Sequence, residues 1–298
     1  MVMTGGTSGF GAIAAERLTR ADNVRLILGA RRPTAVGESI PLDLTALDSV
    51  RAFATSLRER LGGTPVDALV LNAGLILHDI VRRTVDGFET TFAVNHLAHY
   101  LLLRLLLPVL AEGAIVVLTT SGTHDPATRA GLAPPRHADA ELLAHPDRDA
   151  DRDGRAGKDG EHAYTASKLC TVLTARSLSK HPDVKARRLT VIAYDPGQVF
   201  GTGLAKDLSI PLRMAWSLLG TPVGWPLRQL NPTLNSRATA GNILADLALG
   251  LTAPPAGRTY AAVRRSRLTW PDPSELARSD ELAQALWRDS AKLVGLET

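Results

Sequence analysis

Apolar residues recur along this chain in two alternating rhythms. Short apolar runs occur at Val2–Thr4, Val24–Leu28, Ile40–Leu44, Val66–Leu71, Ala114–Leu118, Leu189–Tyr194 and Thr259–Val263. Runs of this length and composition predict strands buried on both faces. Between them, apolar positions three and four apart predict helices over residues 9–20, 45–61 and 86–110, through Tyr164, over 233–249 and at the charged C-terminus. Strand–helix alternation of this kind predicts an α/β fold, a doubly wound parallel sheet covered on both faces. Ligands of such sheets sit at the carboxyl ends of the strands.

Two stretches break the rhythm. Residues 124–162 are rich in Pro, Asp, Arg, Gly and His and carry the charge-dense run from Asp147 to Glu161. They read as an insertion loop, mobile in part. Residues 201–230 alternate apolar side chains such as Leu204, Leu212, Trp216 and Leu218 with prolines, a composition suited to a lid over an apolar pocket. A membrane-surface patch is the rival reading, but the stretch lacks a strongly basic polar face. Residues 1–298 therefore read as one domain without internal repeats.

Composition narrows the function classes. With 45% hydrophobic residues, the 298-residue chain can bury a large core. Its net charge of +4 is spread along the chain without a basic run, which argues against a nucleic-acid partner. The single cysteine, Cys170, excludes an internal disulfide and, with no visible signal peptide, points to a reducing, cytoplasmic setting. The apolar run Tyr100–Leu110 is interrupted by Arg104 and Pro108 and is too short for a membrane span. His96 and His99 lack a further ligand cluster, so they read as packing residues, and no metal is expected.

The candidate chemistry lies at strand ends. The first strand runs into Gly5-Gly6-Thr7-Ser8-Gly9-Phe10-Gly11 and then a helix. Glycines there let the backbone approach a pyrophosphate, and the helix N-terminus offers free N–H groups. The second strand is followed by Gly29-Ala30-Arg31-Arg32, with no acid to hold a ribose 2′-hydroxyl. An arginine there suits a 2′-phosphate, hence NADP(H). Tyr164 and Lys168 stand four apart on one helical face, the helix being read as starting there. An ammonium beside a phenol favours the phenolate and would bring its pKa toward working pH. Ser121, with Thr120 beside it, follows the fifth strand and offers a hydroxyl to a substrate oxygen.

Taken in order, T-G-G-T-S-G-F-G at 4–11, N-A-G at 72–74, Asn95, Ser121, Y-T-A-S-K at 164–168 and P-G at 196–197 resemble the short-chain dehydrogenase/reductases, over essentially the whole chain. D-G-F-E-T-T-F-A-V-N-H-L-A-H-Y-L-L at 86–102, S-K-L-C at 167–170 and T-H-D-P at 123–126 resemble the branch of light-dependent protochlorophyllide reductases and retinol-dehydrogenase-like enzymes. The resemblance implies a Rossmann fold and NADP(H) held by Gly5, Thr7, Ser8, Gly9, Phe10 and Gly11, with Arg31 on the 2′-phosphate. Asp43 and Leu44 would border the adenine, and Asn72, Ala73 and Gly74 the ribose. Pro196, Gly197, Val199 and Thr202 would line the nicotinamide. Tyr164 would be the acid/base, Lys168 its pKa-lowering neighbour and ribose anchor, Ser121 the holder of the substrate oxygen, and Asn95 the residue positioning a water. Where the photoenzymes resemble P-G-C, this chain has Gln198 after Pro196-Gly197. That favours a dark carbonyl reductase acting on a bulky, apolar small molecule over light-driven chemistry. The apolar helices near 97–110 and 169–178 are compatible with a homodimer.

Overall fold

The computed structural model describes residues 1–199 and 231–297. The expected lid at 201–230, with Thr202, lies outside the described residues. Among the described residues, eight strands form one sheet: β1 (Val2–Thr4), β2 (Ile27–Ala30), β3 (Glu38–Pro41), β4 (Val66–Leu71), β5 (Leu110–Thr119), β6 (Thr190–Asp195), β9 (Tyr260–Arg264) and β10 (Arg267–Thr269). Their order is β10-β9-β6-β5-β4-β1-β2-β3. All neighbours pair in parallel except β10, which returns antiparallel to β9. The edge strand β10 has no counterpart among the expected strands. A small separate pair joins β7 (Gln198–Val199) to β8 (Leu234–Asn235).

Strand order reverses at β1, which pairs with both β2 and β4. Loops leaving the ends of β1 and β4 therefore diverge to opposite faces and leave a crevice between them. Helices cover both faces. On one, α1 (Gly9–Thr19) packs with α8 (Arg237–Ala248), burying Ala14, Ala15, Leu18, Leu244 and Leu247 against the sheet. On the other lie α2 (Leu47–Leu61), the long helix before β5, α6 (Ala156–Lys180) and the C-terminal α9 (Asp280–Leu293).

Several boundaries differ from expectation, each for a local reason. β2 starts at Ile27 because its partner β1 starts at Val2, which pairs with Ile27. β3 stops at Pro41, and Asp43 then folds the chain by accepting from Thr45 N at 2.9 Å and Thr45 Oγ1 at 2.8 Å. α2 consequently begins at Leu47. Asp86 does not open a helix; its carboxylate accepts from Leu47 N. The helix starts instead at α3 (Thr90–Phe92), where the Glu89 carboxylate caps the N–H groups of Thr91 and Phe92. It then widens into a π turn over Ala93–Leu97, continues as α4 (Ala98–Leu106) and ends in a tighter turn over Leu107–Val109 that contains Pro108. Thr90–Val109 is long and apolar enough to cross a membrane, yet most of it is buried inside this fold.

The insertion also differs from a loose loop. It contains α5 (Ala140–Ala144) and short helical turns, and residues from Ala156 onward belong to α6. His137 Nδ1 accepts from Asp139 N, which leaves the proton on Nε2 for Asp149, and Arg136 donates to the same Asp149 oxygen. His162 lies close to both, with its ring nitrogens buried and unpartnered.

Much of the apolar surface of the helices near 97–110 and 169–178 is buried within the chain. Leu101, Leu103, Leu169, Leu173 and Leu178 are fully buried, and α9 packs on α6. Trp287 of α9 meets Tyr100 edge-on at 5.0 Å, and Tyr100 Oη donates to Trp287 O at 2.8 Å.

Candidate active site

At the end of β1 the chain must turn in the shadow of the β4 loop. Gly5 adopts φ +69°, and a Cβ on it would lie 2.6 Å from Ala73 N. A Cβ on Gly11 would lie 2.1 Å from Gly5 O. Backbone cannot yield as a side-chain tip can, so both positions require glycine. Ser8 precedes α1 in an extended conformation and makes no side-chain cap, which leaves the first-turn N–H groups of α1 to a ligand. Thr7 and Ser8 are exposed, Gly9 and Phe10 half-buried. A glycine cradle, uncapped N–H donors and a helix dipole at a sheet switch point fit a dinucleotide pyrophosphate. Arg31 and Arg32 follow β2 directly and are exposed, placed for a further phosphate.

One hydroxyl ties the two loops together. Thr4 Oγ1 accepts from the N–H groups of Asn72 at 3.0 Å and Ala73 at 3.1 Å. Both lone pairs are then used, so its proton goes to His99 Nε2 at 3.0 Å. His99 must therefore carry its own proton on Nδ1, facing Asn95 O at 3.4 Å. Burial pushes the His99 pKa down to about 4 and that of His96 to about 3, so both rings stay neutral. His96 turns away to Ser290 Oγ at 2.8 Å. Asn72 completes the tie, its Nδ2 donating to Gly5 O and its Oδ1 accepting from Thr119 Oγ1.

Across the crevice, Tyr164 sits two turns inside α6 rather than at its start. The Ser121 side chain lies beside the Tyr164 phenol and favours its ionised form. Thr120 faces the other way, donating to Lys168 O at 2.7 Å. The structure thus brings Ser121, and not Thr120, to the tyrosine. Asn95 lies on the π turn, with Nδ2 donating to Leu75 O and Ser167 Oγ and Oδ1 accepting from Leu75 N. It clamps the loop after β4, keeping one Oδ1 lone pair spare.

The electrostatics correct the sequence reading. Burial pushes the Tyr164 phenol up to about 12, against the lowering effect of Ser121. Lys168, also buried, is pushed down to about 8. Its ammonium donates to Thr119 O at 3.2 Å and stands 5.7 Å from the centre of the Tyr164 ring. Loss of solvation outweighs any help the ammonium gives the phenolate. Tyr164 is accordingly a neutral proton donor at pH 7, a state suited to reduction.

A buried charged network backs this side. Asp195, at the end of β6, is fully buried. Its Oδ1 accepts from Gly197 N at 2.8 Å, and its Oδ2 accepts from Arg264 Nη1 at 2.8 Å and Tyr260 Oη at 3.1 Å. Gly197 takes φ +74°, and a Cβ there would lie 2.4 Å from Thr233 O. Val199 is buried on β7. His124, held edge-on to Tyr260, accepts from Ser274 N through Nε2 and donates through Nδ1 to Ser121 O at 2.7 Å. Sequence reasoning missed Thr4, His99, His124, Asp195 and Arg264 as working parts. T-H-D-P at 123–126 and Asp195 before Pro196-Gly197 were the available signals for two of them.

Comparison with known proteins agrees with this geometry. Residues 1–131 match the family model for short chain dehydrogenases. Protochlorophyllide reductase A of rice is 31% identical over 99% of this chain and 80% of its own length. A crystal structure of an uncharacterized protein from Mycobacterium paratuberculosis is 27% identical, covers 99% of this chain and 93% of that one, and superposes with a TM-score of 0.68. A short chain dehydrogenase of Burkholderia cenocepacia, solved in complex with NADP, is 20% identical with a TM-score of 0.55, over 85% of this chain and 90% of that one. The chain belongs to the short-chain dehydrogenase family, on the branch that holds the protochlorophyllide reductases.

Proposed function

We propose that the protein is an NADPH-dependent reductase of a carbonyl group on a bulky, largely apolar small molecule, able in reverse to oxidise the alcohol. The observation that carries this reading is the pairing of half-buried Ser121 with buried Tyr164 across from a glycine cradle at the sheet's switch point. Gly5, Gly9, Gly11 and the first turn of α1 would hold the pyrophosphate, Arg31 the 2′-phosphate, and Asn72, Ala73 and Gly74 the ribose. When bound, the dinucleotide supplies the hydride.

The chain's own residues do the rest. Ser121 orients the substrate oxygen by donating a hydrogen bond, and Tyr164 yields its phenolic proton to the same oxygen as charge develops there. Lys168 keeps a positive charge beside the phenol, which eases departure of its proton. A proton donor of this kind contributes about 10²–10⁴ in rate. Loss of NADPH absorbance with a panel of carbonyl compounds tests the reading, which requires turnover that depends on Tyr164.

Likeness to the rice protochlorophyllide reductase along nearly the whole chain favours a second reading, reduction of a carbon–carbon double bond in a pigment. Gln198 after Pro196-Gly197 weighs against it. Turnover of that pigment by the protein under illumination, and none with carbonyls in the dark, would establish it instead.

A further inference from the structure

Tyr164 and Ser121 are backed by a charge pair that the proposed chemistry does not itself consume. Asp195 is fully buried and reaches β9, where Arg264, with 23% of its side chain exposed, closes on it at 2.8 Å. Gly122 shows how tightly this pair abuts the catalytic hydroxyl. A Cβ on Gly122 would stand 2.9 Å from Asp195 Oδ2 and 3.3 Å from Arg264 Nη2. Ser121, its chain neighbour, lines the same small cavity as Asp195, Gly197, Gln198 and Arg264. The pair therefore touches both halves of the working end: the Ser121 strand end through Gly122, and the Pro196–Gly197 turn through Gly197 N.

We propose that Asp195 and Arg264 act together as a positioning pair for the reduction, fixing Ser121 and the Pro196–Gly197 turn while presenting Tyr164 with balanced charge. The inference rests on the reading of Tyr164 as proton donor. Its physical content is the balance. A buried carboxylate alone would oppose the phenolate, and a buried guanidinium alone would favour it. Held 2.8 Å apart, each satisfies the other's desolvation, and the guanidinium offsets part of the field by which Asp195 raises the phenol. The other ionisable groups around Tyr164 are Lys168 on its own helix, His124 and Tyr260 beside Asp195, and His99 beneath Lys168; burial holds both histidines neutral.

The test is the pH dependence of kcat/KM for carbonyl reduction in wild type, Asp195→Asn, Arg264→Gln and the double variant. Asp195→Asn leaves the guanidinium uncompensated, which favours the phenolate, so the alkaline limb moves down. Arg264→Gln leaves the carboxylate uncompensated, so the limb moves up. Lys168 responds with the same sign, so the direction holds whichever group sets that limb. Each shift is about one pH unit, the order expected of an uncompensated charge acting across a partly buried site. The double variant returns toward wild type, and Arg264→Lys, which keeps the charge, holds the wild-type position even where its rate falls. Profiles that superimpose with lowered amplitude overturn the proposal and leave a structural ion pair. Arg264 stands at the rim, so an unshifted Arg264→Gln profile is decisive by itself where Asp195→Asn fails to fold. Retained turnover in Tyr164→Phe removes the proton-donor reading and this inference together; a dead Tyr164→Phe with unshifted profiles removes this inference alone.

Discussion

The two walls of the crevice are built on opposite principles. The wall at β1 and β4 is made of backbone: glycines where a Cβ would strike the neighbouring loop, one threonine hydroxyl, and one neutral histidine. The wall at β5, β6, β9 and α6 is made of side chains: a buried phenol, ammonium and carboxylate, and a half-buried guanidinium. The first has to admit a polyanion, which backbone N–H groups and a helix dipole receive without burying any charge of their own. The second has to tune a proton, which requires charges taken out of water and balanced against one another. Space governs one side and electrostatics the other.

After loss of the Tyr164 phenol itself, exchanging the adjacent hydroxyls of the electrostatic wall has the largest expected effect. Ser121→Ala lowers kcat by roughly 10²–10³ with a small change in KM for NADPH, whereas Thr120→Val stays within a few-fold of wild type. Steady-state kinetics on both variants checks this, and equal losses would erase the distinction drawn between them. Next comes the wall of backbone. Gly11→Ala forces a Cβ toward Gly5 O, so NADPH affinity falls more than about tenfold, with a lower Tm, while the affinity is read by fluorescence titration. Arg31→Ala weakens NADPH by about tenfold and leaves NADH unchanged, since only the former brings a 2′-phosphate. Thermal shift with the two nucleotides separates these outcomes.

The smallest effect is in stability at low pH. His96, His99 and His162 are held by burial at about 3, 4 and 4, below the ordinary value of about 6.5. Below pH 6.5 the unfolded chain takes up protons that the native rings refuse, so stability falls as pH falls and is fully kept above that value. Each such histidine contributes a slope of about 1.4 kcal/mol per pH unit until its native pKa is reached. Urea unfolding at pH 5 and 6 should show the slope reduced by one proton in His162→Gln, whose parent ring has no hydrogen bond to lose.

The same contrast explains what could be read without a structure. Gly5, Gly9 and Gly11 were legible because a steric demand leaves one residue type, at fixed spacing, beside its own strand. The π turn at Asn95 and the start of α6 at Ala156 were not, since both are set by packing on distant helices. The polar tethers were hidden by separation along the chain. Thr4 meets His99, His124 meets Ser274, and Asp195 meets Arg264, and no local pattern marks such pairs. The reversed pKa of Tyr164 had the same origin. The four-residue spacing to Lys168 was correct, but the degree of burial and the carbonyl that claims the ammonium, Thr119 O, are properties of the folded site.

Single-turnover oxidation of bound NADPH by a carbonyl substrate in complete darkness, comparing wild type with Tyr164→Phe, addresses the proton-donor claim most directly. The account predicts a dark reaction in the wild type and a loss of about 10³ or more in the variant, with NADPH bound equally by both. An undiminished rate in Tyr164→Phe, or a reaction that runs only under light, would contradict it.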